Sequence, residues 1–114
     1  MYITHNMTIK EVNLEFSKLY PHLKLCFYKR EHGHFVGSSP EDEYGEETIL
    51  SEINPNLSDG HLPHYGEMTV EEFENNWKSI FGLNVQVFRK SGDVWLQTSK
   101  TDFWTLNKQE SKAQ

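Results

Sequence analysis

The chain has 114 residues, 36% of them hydrophobic and 13% aromatic, with 17 acidic against 11 basic side chains and a formal net charge of −6. That is one domain, long enough to bury roughly two thirds of its unfolded surface, and its negative balance opposes the counterion release that drives binding to nucleic acid or anionic membranes. A single cysteine excludes an intrachain disulfide framework, and no apolar run has the length of a membrane span or a signal-peptide core. The expectation is a cytoplasmic domain with no cofactor, no nucleic-acid partner and no membrane partner.

Met1–Asn6 read as an extension ahead of the first ordered element. Thr8 with Glu11 forms a capping box, in which hydroxyl and carboxylate each accept a backbone N–H at the start of a helix. Ile9, Val12, Phe16, Leu19 and Tyr20 then follow at three- and four-residue spacing, and Pro21-His22 ends the helix. The alternation of Leu23–Lys29 predicts a strand, with Cys26 a small packing residue inside it. Gly33 marks a turn and Phe35-Val36 open the return strand. Lys29-Arg30, like Arg89-Lys90 later, read as solvated strand ends rather than a nucleic-acid patch.

Between Gly37 and Gly66 the chain is broken by Ser, Pro and Gly and carries the acidic run Glu41, Asp42, Glu43, Glu46 and Glu47. This reads as a linker over about 40–67, of a length that is usually functional or mobile. Thr48–Ile53 fits one or two helical turns or a short strand equally well.

From Met68 the opening pattern returns. Thr69 and Glu72 form a second capping box, Val70, Phe73, Trp77, Ile80 and Phe81 form the stripe, and Gly82 stands where a left-handed stop is wanted. Leu83, Val85 and Val87 alternate with Asn84, Gln86 and Phe88 as a second strand. A Ser91-Gly92 turn would then set Lys90 opposite Asp93, Phe88 opposite Trp95, Val87 opposite Leu96 and Gln86 opposite Gln97. Thr98–Thr105 lead into Leu106–Ala113, a short, polar, frayed helix or a disordered tail, with Phe103 and Trp104 placed to pin it.

The two halves match in cap, stripe and strand phase. The fold expected is therefore an α+β two-layer sandwich, a pseudo-duplicated αββαββ with a four-stranded antiparallel sheet and both helices on one face. Its units span about 8–39 and 69–99, with a tail over 100–114.

The run Phe81-Gly82-Leu83-Asn84-Val85-Gln86-Val87-Phe88-Arg89-Lys90-Ser91-Gly92-Asp93-Val94-Trp95-Leu96-Gln97-Thr98, with Thr101-Asp102 and Trp104-Thr105-Leu106 after it, resembles a recurring C-terminal segment of a group of uncharacterised bacterial proteins. The resemblance covers about the last third of the chain. It implies a bacterial, non-secreted protein and assigns no catalytic residue.

Function has to be sought on the sheet. If the helices cover Leu23, Leu25, Phe27, Leu83, Val85, Val87 and Leu96, the other face carries Cys26, Tyr28, Phe35, Gln86, Phe88, Trp95 and Gln97, an aromatic surface that needs a cover. The linker, a second copy of the chain, or a ligand or protein partner would each serve. The leading expectation is a non-enzymatic binding module using Tyr28, Phe35, Gln86, Phe88, Trp95 and Gln97, with a homodimer or another protein as partner. The alternative is a small-molecule or metal-dependent enzyme at the linker, using His61 and His64 with nearby carboxylates. His32, His34, His61 and His64 are the candidate ligands for zinc or nickel.

Overall fold

A computed structural model describes residues 1–31 and 37–113. The described chain is α+β, with four α-helices and two antiparallel sheets. In order the elements are β1 (Tyr2–Ile3), α1 (Ile9–Leu19), β2 (Leu23–Tyr28), α2 (Leu50–Ile53), β3 (Gly60–His61), α3 (Val70–Phe81), β4 (Asn84–Ser91), β5 (Val94–Gln97) and α4 (Leu106–Lys112), with 3-10 turns at Pro40–Asp42 and Ser99–Thr101.

Both capping boxes form. Glu11 N–H donates to Thr8 Oγ1 at 3.1 Å while Thr8 N–H donates to Glu11 Oε1 at 3.0 Å. Thr69 and Glu72 repeat the pair at 3.1 and 3.3 Å. The helices bury Ile9, Val12, Phe16 and Tyr20 in one case and Val70, Phe73, Trp77 and Phe81 in the other. Leu19 and Ile80, expected in the stripes, lie on their flanks and stay exposed.

Against these stripes the sheet presents Leu23, Leu25, Phe27, Leu83, Val85 and Val87. The aromatic side chains interlock, with Phe16 stacked on Phe73 at 5.5 Å and Trp77 edge-on to Phe27 at 5.3 Å. Burial of each such side chain contributes about 1.5–3 kcal/mol. The amino-terminal residues belong to this core and are no mere extension: Tyr2–Ile3 pair with Gly60–His61, and Ile3 is fully buried.

The larger sheet has the order β2-β4-β5. β2 and β4 run antiparallel with Cys26 opposite Gln86 near their middle. The hairpin corrects the expected register by two residues, pairing Ser91 with Val94, Lys90 with Trp95, Arg89 with Leu96 and Phe88 with Gln97. The reason is the turn: Gly92, at φ 60°, takes its first central position, where primed hairpin turns require a positive φ. A shift of two keeps every side chain on its own face. Leu96 thus points to the helix side as expected, but it lies outside the helices' cover and is exposed.

The expected fourth strand opens at Phe35-Val36, outside the described residues. Along that edge of β2, Tyr44 N–H donates to the Phe27 carbonyl at 2.8 Å, Lys29 N–H donates to the Asp42 carbonyl at 2.9 Å, and Tyr28 bridges Glu43.

The linker and the tail both hold more order than their composition suggests. Ile9 N–H donates to Thr48 O at 3.0 Å, Lys10 N–H to Glu46 O at 2.9 Å, Leu50 N–H to Met7 O at 2.9 Å and Ser51 N–H to His5 O at 2.9 Å. The second helix has the same ties: Val70 to Trp104 at 2.9 Å, Glu71 to Asp102 at 2.8 Å, Leu106 to Met68 at 2.9 Å and Asn107 to Gly66 at 3.0 Å. Each long helix therefore has its first turn stitched to the start of a short one. Of the two readings of Leu106–Ala113, short polar helix or disordered tail, the structure has the helix: α4, capped by Thr105 Oγ1 accepting from Lys108 N–H at 3.1 Å. Leu106 and Gln109 anchor it and are fully buried, whereas Phe103 is exposed.

Candidate functional site

Strand alternation puts Lys24, Cys26, Tyr28, Gln86, Phe88, Lys90, Trp95 and Gln97 on the sheet face away from α1 and α3. This outer face is divided. At the Tyr28 end it is sealed: Cys26, Tyr28 and Gln86 are 5%, 2% and 0% exposed. Burial pushes the Cys26 thiol up to about 12, with the nearby Glu43 carboxylate adding to the effect. Burial likewise raises the Tyr28 hydroxyl, with Cys26 and Glu43 contributing. At neutral pH the thiol is thus protonated, the opposite of what a nucleophile needs. The Gln86 amide Nε2 reaches the buried Glu74 carboxylate at 3.4 Å, and the same Glu74 oxygen accepts Val87 N–H at 2.8 Å. Tyr28 and Gln86, expected on a binding surface, are therefore part of the interior.

The other end is partly open. Phe88 and Trp95 are half-buried, and the Lys24 ammonium lies over both rings, 4.9 Å from the Trp95 centroid and 5.7 Å from that of Phe88. Lys90 stands directly opposite Trp95. Gln97 closes the patch on one side, its amide oxygen accepting Ser38 N–H and its Nε2 donating to Ser38 O, both at 2.9 Å. A Cβ on Gly37 would come within 2.4 Å of that amide oxygen, so a larger residue there would displace the Gln97 side chain from Ser38. Phe35 lies outside the described residues.

On the helix side of the same sheet end, Arg89 and Lys108 flank the Trp104 ring at 5.4 and 4.4 Å, and Arg89 Nη1 donates to Gln109 Oε1 at 2.7 Å. Sequence reasoning missed this cluster because Gln109 is polar. The recurrence of Thr plus an aliphatic residue at Thr105-Leu106 was the available signal for its helix.

The histidines do not converge as a catalytic pair with the linker acids. His61 packs edge-on against Tyr2 at 4.9 Å. His64 is half-buried, its Nδ1 has no hydrogen-bond partner among the described residues, and burial together with the amino-terminal charge lowers its pKa. Asp59 pairs instead with His5, at 2.8 Å to Nδ1, and Glu110 with His22 at 2.6 Å. His32 and His34 lie outside the described residues. Among the described residues no three His, Cys, Asp or Glu side chains are grouped to hold a metal ion, and no helix is long and apolar enough to cross a membrane.

Compared with family models, curated proteins and solved structures, the chain matches none.

Proposed function

We propose that the protein is a non-enzymatic binding module that takes a protein partner on the open end of the outer sheet face, at Lys24, Phe88 and Trp95. The observation that carries this reading is the Lys24 ammonium, which rests on two part-exposed aromatic rings and makes no ion pair among the described residues. An ammonium in that position offers N–H donors above an apolar platform. Trp on a part-open surface, as at Trp95, is among the residue types that dominate interface energies. A partner suited to the patch sets an acidic group beside an apolar side chain. Affinity capture with wild type, Trp95→Ala and Lys24→Glu tests the reading: both substitutions should abolish retention of a specific partner, and a partner held equally by all three forms would refute it.

The alternative, an enzyme site of His61 and His64 with linker carboxylates, gains no support from the packing of His61 on Tyr2 or the contact of His64 with the amino-terminal charge.

We also read the chain as one unit written twice, completing a four-stranded sheet through the segment that opens at Phe35-Val36. The matched stitches of Ile9 with Thr48 and Val70 with Trp104 support this, as do the matched bonds from Tyr44 to Phe27 and from Thr98 to Val87.

A further inference from the structure

β5 is an end strand of its sheet. The β4–β5 register, with the Thr98 N–H bond to the Val87 carbonyl at 3.2 Å, fixes which backbone groups point where. Bonded and non-bonded pairs alternate in an antiparallel ladder, so Val94 and Leu96 turn their N–H and C=O toward β4 while those of Trp95 and Gln97 point out of the sheet. No described residue bonds to them. Proteins guard such edges with charge, proline or a bulge, and Val94-Trp95-Leu96-Gln97 contains no charge and no proline. Val94 and Leu96 are 56% and 42% exposed beside this edge. The two ends of the strand carry opposite charges: Asp93 precedes it and Lys100 follows it, both exposed and neither in an ion pair among the described residues.

We propose that β5 pairs antiparallel with β5 of a second copy of this chain, about a twofold axis at Leu96, joining the two larger sheets edge to edge into one. Trp95 then faces the partner's Gln97 and Gln97 the partner's Trp95, so each N–H and C=O left without a bond among the described residues finds its complement. Leu96 lies against the partner's Leu96, removing both exposed side chains from water. Asp93 is brought to the end where the partner's Lys100 stands, a charge match that a parallel arrangement reverses into like beside like. The edge uses the Trp95 backbone and the patch its ring, so Lys24→Glu tests the patch and Leu96→Arg the edge, and the two readings fail separately.

Sedimentation of the full chain from micromolar to near-millimolar concentration tests the pairing. A reversible monomer–dimer equilibrium is expected. Leu96→Arg, which sets two like charges on the axis, should raise the dissociation constant at least about tenfold. Asp93→Lys should weaken the dimer, and Asp93→Lys combined with Lys100→Asp should restore it, which keeps the test sharp even if the arginine disturbs folding. A chain that stays monomeric throughout, as it would if the edge served only an extended peptide of another protein, overturns the proposal. So does a dimer indifferent to both Leu96→Arg and the charge exchange. Lys24→Glu should leave the equilibrium unchanged while abolishing capture at the outer face.

Discussion

Asn13 on α1 holds both backbone polar groups of Leu25: its Nδ2 donates to the Leu25 carbonyl and its Oδ1 accepts the Leu25 N–H, each at 2.8 Å. Those groups point away from β4, on the side of β2 where a neighbouring strand would satisfy them, and an amide supplies one donor and one acceptor in their place. Glu74, at the matching place on α3, accepts the Val87 N–H. Asn13→Ala leaves a buried N–H and C=O without these bonds and should cost about 1–3 kcal/mol, read as a lower urea midpoint with an unchanged slope. Asn13→Asp keeps the acceptor, loses the donor, and should fall between the two.

Gly82 and Gly92 both have positive φ, 67° and 60°, but only one is crowded. A Cβ at Gly82 would come within 2.7 Å of Asn54 Nδ2, which donates to the Phe81 carbonyl at 2.8 Å. Gly92→Ala should cost about 1–2 kcal/mol for the left-handed backbone alone. Gly82→Ala should cost more, by about 1 kcal/mol for the displaced hydrogen bond. Equal urea midpoints for the two variants would contradict this.

With its folded pKa near 12 against an ordinary value of 9.0, the Cys26 thiol should resist disulfide reagents at pH 8 in the native protein and react fully in urea. Its raised pKa favours the protonated, folded form. The stability it contributes is therefore complete below about pH 9 and lost as the pH rises toward 12. Cys26→Ala should flatten that part of the stability–pH curve.

His64 has the opposite sense, a base whose folded pKa lies below 6.5 because of burial first and the amino-terminal charge second. It should protonate in an NMR titration at lower pH than free histidine. Acetylating the amino terminus should move it part of the way back, since the burial remains. The stability this group contributes is present above pH 6.5 and declines as the pH falls through its folded value.

Much of the frame was readable from local chemistry. A Thr and a Glu three residues on announce α1 and α3, and Gly82 announces where α3 stops, because these signals act over a few neighbouring residues. The hairpin was readable but its register was not, since Ser91-Gly92 and Gly92-Asp93 are both credible turns and the choice rests on which position needs a positive φ. α4 was legible as a short polar helix or a tail, but its anchoring was not, because Gln109 is buried by bonds to Arg89 and Thr101 rather than by apolar area. The sealing of Tyr28 and Gln86 follows from packing across the sheet, which strand alternation alone does not reveal.

The stitches from Ile9 to Thr48 and from Val70 to Trp104 lie within the two halves of the chain, whereas the pairing of β2 with β4 crosses between them. During synthesis the first half can therefore close its own helix ties while β2 still waits for residues 84–91. A nascent chain halted on the ribosome before Asn84 presents a mostly apolar strand with an unanswered hydrogen-bonding edge. Transiently exposed apolar surface and unpaired strand edges of this kind are what make incomplete chains prone to misassembly.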